Sequence, residues 1–300
     1  MNSYPVINVP LNAPDFPEQL GTKPKFWFDE NRFLFKEARI GTGEDWSEKV
    51  VCELCEILGI PHAKYDLGMW NGKRGVVTEN FVPPRASLIP GNQILVRINP
   101  RYPTGKLRGV RHHTLRIVHI VVGLMKPPVD FLPFPGVTSA RHVFAGYLML
   151  DALVGNNDRH HENWGLVLTG DRVLHLAPSF DHASSLGRIE SDKEKLDRLR
   201  TKDQFRTVEA YAKKASSAFH LSQTSTTPLS TLEAFYSIAK LHTSAALAWL
   251  KRLEEVSPEQ TMEILSKVPK DRISDISIEF AQKVLLINRE RLLGLVGQLV

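Results

Sequence analysis

The chain has 300 residues, of which 42% are hydrophobic and 24% charged, and a formal net charge of +5. That composition excludes a disordered or fibrous chain and leaves room for one large core or for two lobes around a cleft. No apolar run reaches the roughly 18 residues that cross a bilayer, and no basic-then-apolar leader is visible, so a cytoplasmic protein without membrane contact is expected.

Residues 1–20 carry Pro5, Pro10, Pro14 and Pro17. Proline fixes φ and removes a backbone donor, which predicts an extended arm rather than a helix. Lys25–Phe28 and Arg32–Lys36 read as strands joined by the polar turn Asp29-Glu30-Asn31. Gly41-Thr42-Gly43 breaks the chain. From Glu44 to Leu58, Trp46, Val50, Val51, Leu54, Ile57 and Leu58 then recur at helical spacing, with Gly59 and Pro61 as stop signals. Cys52 and Cys55 fall inside that helix. With no second cysteine pair to complete a four-ligand zinc site, they read as ordinary helix residues. Tyr65–Trp70 and Gly75–Phe81 flank Asn71-Gly72, a strong hairpin signal.

Pro83-Pro84 marks a crossing into a region of helical patterns. Arg141–Val154 is apolar on most sides and predicts a buried helix. Ser230-Thr-Leu-Glu233 and Ser257-Pro-Glu-Gln260 are capping boxes that open two more. Ile278–Leu295 reads as a terminal helix with Phe280, Val284, Ile287 and Leu292 inward, and Ser216–Thr227 as a surface loop. The layout expected is an arm (1–20), a small α+β lobe (21–82) and a larger, mainly helical lobe (83–300).

Charge is distributed unevenly. Residues 80–129 hold no Asp or Glu but carry Arg85, Arg97, Arg101, Lys106, Arg108, Arg111, Arg116 and Lys126, with His112 and His113. Such a block favours a nucleic acid or another acidic partner, or else is a solvated face near a nucleotide site. Pro100, Pro103, Gly105 and Gly109 in the same stretch suggest a mobile loop near the cleft.

The chemistry-bearing stretch is Asp158-Arg159-His160-His161-Glu162-Asn163, between the apolar run ending at Val154 and the strand-like run Trp164–Leu168. A second acid, Asp181, follows a short hairpin. An Asp, an Asn at D-x-x-x-x-N spacing and a later Asp form the arrangement of ATP phosphotransferases. The first receives the acceptor proton, and the other two hold Mg²⁺ on the phosphates. Gly155-Asn156-Asn157-Asp158 is also good turn chemistry on its own; the second Asp and an upstream lysine weigh against that reading. Lys36 ends an apolar strand, where a lysine needs a partner. Glu48 on the next helix can supply it, with Glu53, about 140° further round, as the alternative.

Taken together, these parts resemble the HipA-like serine/threonine kinases, toxin components of bacterial toxin–antitoxin pairs. The resembling residues are Gly21-x-x-Pro24-Lys25, Phe35-Lys36, the Glu48 helix ending in Leu58-Gly59-Ile60-Pro61, and Glu79-x-Phe81. Downstream they continue with Gly155-Asn156-x-Asp158-x-His160-x-x-Asn163, Leu176-Ala177-Pro178-x-x-Asp181, and the C-terminal Phe280-Ala281 and Asn288-Arg289. The resemblance implies an α+β, two-lobed protein-kinase-like fold, with a small β-rich N-lobe containing one helix and a larger helical C-lobe. It implies ATP and Mg²⁺ as cofactors, with Asp158 as catalytic base and Asn163 and Asp181 as metal ligands. Lys36 would lie on the nucleotide phosphates, Gly21 and Lys25 in the phosphate loop, and Glu79 and Phe81 at the adenine through their backbone. His160 would lie near the γ-phosphate or brace the loop. It further implies a protein substrate, an aminoacyl-tRNA synthetase in the best-known cases, and restraint by a DNA-binding antitoxin. Two other readings stay open: a phosphoinositide or small-molecule kinase, since Asp158-Arg159-His160-x-x-Asn163 also resembles that catalytic loop, and a nucleic-acid-binding regulatory pseudokinase.

Overall fold

The computed structural model describes residues 3–14, 16–18 and 24–300. Its first layer is a six-stranded sheet of β1 (Val6–Asn8), β2 (Phe16–Pro17), β3 (Lys25–Phe28), β4 (Phe33–Glu37), β5 (Tyr65–Trp70) and β6 (Lys73–Glu79), in the order β1-β5-β6-β4-β3-β2. Within the Pro-rich stretch, the extended segments β1 and β2 join the sheet. β1 adds to one edge, parallel to β5, and β2 pairs with β3 at the other. An edge strand tolerates Pro17 because the missing donor faces away from the ladder.

Both hairpin turns rest on residues that accept positive φ: Asp29, Glu30 and Asn31 between β3 and β4, and Asn71 (φ 48°) with Gly72 (φ 73°) between β5 and β6. In β4 the two-residue period sends Phe35 into a hydrophobic cluster with Phe26, Phe28 and Val77 on the outer face. Lys36 therefore goes to the opposite face, beneath helix α1 (Glu44–Leu58). α1 ends at Gly59 in the left-handed conformation, and its Val50, Val51, Leu54 and Leu58 are buried.

The second layer is helical, with a three-stranded antiparallel sheet, β7 (Ser87–Pro90), β8 (Gly165–Leu168) and β9 (Leu174–Leu176), in the order β7-β8-β9. Helices α2 (Gly91–Ile98) and α3 (Leu115–Val122) precede α4 (Ala140–Val154), which is buried along nearly its whole length. Gly146 lets α4 approach Trp249; a Cβ there would lie 2.6 Å from the indole ring. The remaining helices are α5 (Asp192–Arg200), α6 (Val208–Lys213), α7 (Thr231–Ala239), α8 (Thr243–Glu255), α9 (Pro258–Ser266), α10 (Asp275–Leu293) and α11 (Val296–Leu299). Both expected capping boxes are formed, and Ser191 makes a third at α5. In α10, Phe280, Val284 and Leu292 are buried, while Ile287 is only half-buried.

The expected surface loop 216–227 is corrected in its first part. Phe219 is fully buried and stacks on His113, so this segment contributes to the core before the chain surfaces. The two layers are clamped by charge. Asp45 of α1, fully buried, accepts from Arg74 of β6 and from the buried Arg272, which also donates to the carbonyl of Gly68. No described helix is long and apolar enough to cross a membrane.

Candidate active site

Lys36 emerges at the end of β4 into a cleft of about 740 Å³ between the layers. Its ammonium, nearly buried, pairs with Asp181 and lies 3.8 Å from Glu48 Oε2. Burial pushes its pKa down. The carboxylates of Asp181, Glu48 and Glu44 more than reverse this, so the value ends above that of an ordinary lysine and the group stays charged. Glu53, the alternative partner, instead pairs with Lys49 at 2.6 Å. Glu48 is held from below: the backbone N–H of His182 donates to its Oε1 at 2.5 Å.

The loop after α4 opens at Gly155, in the left-handed conformation. Asn156 Oδ1 accepts from the backbone N–H of Asp158 at 3.1 Å, and Asn163 Nδ2 donates to the Asp158 carbonyl at 2.7 Å. These bonds project the Asp158 carboxylate into the cleft, where Arg108 donates to Oδ1 at 3.0 Å and Ser184 to Oδ2 at 3.2 Å. With Nδ2 committed, Asn163 has Oδ1 left for a cation. Asp181 adopts φ 57°, and its backbone N–H donates to the Tyr65 hydroxyl oxygen at 3.3 Å. Lys36, Asp158, His160, Asn163 and Asp181 all line the same cavity.

Among the described residues no group of three or more His, Cys, Asp and Glu is disposed to hold a metal by itself. The donor set nevertheless fits Mg²⁺. One carboxylate and one amide oxygen are hard ligands, Mg²⁺ takes few protein ligands when phosphate supplies the rest, and Asp181 already faces a cation in Lys36.

His160 is placed by the loop. Its Nδ1 accepts from the N–H of Glu162 at 3.2 Å, and its own N–H donates to the Asp158 carbonyl at 2.7 Å. Where β6 leaves the sheet, Glu79, Asn80, Phe81 and Val82 line the cavity. The Phe81 ring stacks on Phe180 at 5.7 Å between centroids, and Asn80 Oδ1 accepts from the N–H of Val82 at 3.0 Å. Lys25 lies opposite Lys36 in the β3–β4 register and also lines the cavity. Gly21 lies outside the described residues.

Sequence reasoning missed the support beneath this loop. Arg159, fully buried, pairs with the buried Asp151 of α4 and donates to Ser179 Oγ at 3.0 Å and to the Asn163 carbonyl at 3.3 Å. Ser179 Oγ in turn meets His182 Nε2 at 2.7 Å. A hydrogen-bonded chain therefore runs from Glu48 through His182, Ser179 and Arg159 to the loop that carries Asp158. The available signal was Asp151, the one charged residue in the run Val143–Val154, which needs a buried cation.

The acid-free stretch divides in two. All eight of its Lys and Arg are exposed. His113 adds no charge: burial holds its pKa down at about 3, its Nε2 accepts from Trp164 Nε1 at 3.0 Å, and it is part of the core. The loop with Pro100 and Gly105 is also less free than its composition suggests. Tyr102 is buried with its hydroxyl 2.8 Å from His161 Nδ1, and Val110 is buried at the other end.

No family model and no curated protein matches the sequence. Among solved structures, the proinflammatory kinase CtkA of Helicobacter pylori superposes with a TM-score of 0.73 at 19% identity, over 98% of this chain and 97% of that one. HipA of the Shewanella oneidensis MR-1 toxin–antitoxin system, solved with HipB and operator DNA, superposes with a TM-score of 0.61 at 14% identity, over 95% of this chain and 67% of that one. This chain has the two-lobed α+β fold of the HipA-like kinases.

Proposed function

We propose that this protein is an ATP- and Mg²⁺-dependent serine/threonine protein kinase. The observation that carries the reading is the convergence, in one cleft, of a charged buried lysine, a carboxylate pair around it, and an Asp–Asn–Asp set on two adjoining loops. Bound Mg²⁺ would neutralise phosphate charge and would be held by Asn163 and Asp181. Lys36, oriented by Glu48, supplies the cation for the nucleotide phosphates, with Lys25 on the same side. The backbone from Glu79 to Phe81 offers polar groups to the adenine, and Phe81 on Phe180 offers it an apolar wall. Asp158 receives the proton of the acceptor hydroxyl as the oxygen attacks phosphorus. His160 braces the loop that aims Asp158.

A protein acceptor fits an open cleft whose mouth carries exposed arginines, and the exposed cations of residues 80–129 are the surface offered to an acidic segment of it. The similar Shewanella protein is held with HipB and operator DNA, so a DNA-binding antitoxin is the regulatory partner proposed here.

The metal assignment is tested by calorimetry. Asp181→Ala is expected to lose the Mg²⁺-dependent part of ATP affinity, because one hard ligand goes and Lys36 loses its present partner. An unchanged difference between titrations with and without Mg²⁺ would make Asp181 a turn residue only.

A further inference from the structure

Ser184 lies within hydrogen-bond reach of the candidate base Asp158. Its hydroxyl donates to Asp158 Oδ2 at 3.2 Å, lines the cleft, and is partly exposed. Among the described residues it is the one side-chain hydroxyl shown donating to the candidate base. A general base acts on a proton within hydrogen-bond reach, and this geometry meets that condition inside the chain itself. Ser185 serves as an internal contrast, for its side chain is buried and its Oγ has no partner.

The same hydroxyl accepts from Arg188 Nη2 at 2.9 Å. Arg188 is held at its other nitrogen by Glu44, which is buried and also takes Arg39 Nη1 at 2.9 Å. Arg108 stands on the other oxygen of Asp158. A phosphate placed on Ser184 would therefore find a pre-positioned guanidinium, the side chain best matched to phosphate oxygens. The backbone around it is already fixed. Gly43 N–H donates to the Arg188 carbonyl at 2.8 Å, Leu186 N–H to the Val154 carbonyl at 3.0 Å, and Ser47 Oγ to the Ser185 carbonyl at 3.1 Å.

Resting on the kinase reading above, we infer that Ser184 is a site of intramolecular self-phosphorylation. Ser184 Oγ forms the new bond to the γ-phosphorus of ATP as the bond from that phosphorus to the β–γ bridging oxygen breaks. ADP leaves, and the hydroxyl proton passes to Asp158 and then to solvent. Arg188 holds the hydroxyl before transfer and the phosphate after it.

The test incubates the full-length protein with Mg²⁺ and γ-labelled ATP at protein concentrations spanning about a hundredfold, with ADP release followed in parallel and the label mapped by mass spectrometry. The expected result is label on Ser184 and none on Ser185, at a first-order rate independent of protein concentration. Arg188→Gln should slow labelling of Ser184 by about tenfold, the worth of one charge-assisted hydrogen bond. ADP release with Ser184 left unmodified, or labelling of Ser184 whose rate rises with protein concentration, overturns the inference and leaves the kinase reading standing. A protein that releases no ADP fails as a kinase, and the inference falls with it.

Discussion

Asp158→Asn should bind ATP with wild-type affinity and transfer phosphate more slowly by about 10²–10⁴, the usual contribution of a positioned general base. The amide keeps the shape of the carboxylate, so the loop should stay in place. Its anchors are the Asn163 bond to the Asp158 carbonyl and the Arg159 contacts beneath, none of which uses the Asp158 side chain. What is lost is an atom that can accept the acceptor's proton. Separate measurement of equilibrium ATP binding and single-turnover transfer distinguishes this from a folding defect. Turnover like the wild type would remove Asp158 from the chemistry.

Asp151→Ala is expected to cost about 3–5 kcal/mol of unfolding free energy, because it leaves the Arg159 guanidinium buried without its carboxylate. Arg159 and Asp151 are 1% and 3% exposed, so little solvent is available to replace the lost charge. Asn156 also loses an acceptor, since its Nδ2 donates to Asp151 Oδ1 at 2.8 Å. A shape-matched apolar pair at the two positions should recover much of that stability, since desolvation of a buried ion pair consumes most of its attraction. It should not recover transfer, because the bond from Arg159 to the Asn163 carbonyl is gone. Chemical denaturation of the single and double variants measures the first effect. A loss below about 1 kcal/mol would mean that water or Ser179 satisfies the guanidinium.

The parts of this molecule that were legible in its sequence are those specified locally. Glu44–Leu58 carries its own apolar stripe and its own glycine stop, and the helix has those bounds. Asn71-Gly72 sets its own positive φ values. Ser230 and Ser257 each reach a partner three residues on. The D-x-x-x-x-N spacing is local in the same sense, and the fold brings it to the cleft that Lys36 enters.

The remainder depends on contacts between residues far apart in the chain. The edge strands β1 and β2 exist because the rest of the sheet offers open ladders, which no propensity of Val6–Asn8 or Phe16–Pro17 reveals. Arg159 reads as a surface residue of a polar loop until Asp151 and Ser179 close around it. Phe219 sits in a Ser/Thr-rich stretch and is buried because His113 and Phe144 form its pocket. Arg108, read as one cation in a basic run, is placed on Asp158 by a loop pinned at Tyr102 and Val110.

The central claim is tested most directly by incubating the protein with γ-labelled ATP and a mixture of candidate protein acceptors, with Mg²⁺ and with excess chelator. Label should appear as phosphoserine or phosphothreonine in protein, should require Mg²⁺, and should form about 10²–10⁴ more slowly in Asp158→Asn. Label that enters lipid or a small molecule in place of protein, or ATP left unconsumed with Mg²⁺ present, would contradict it.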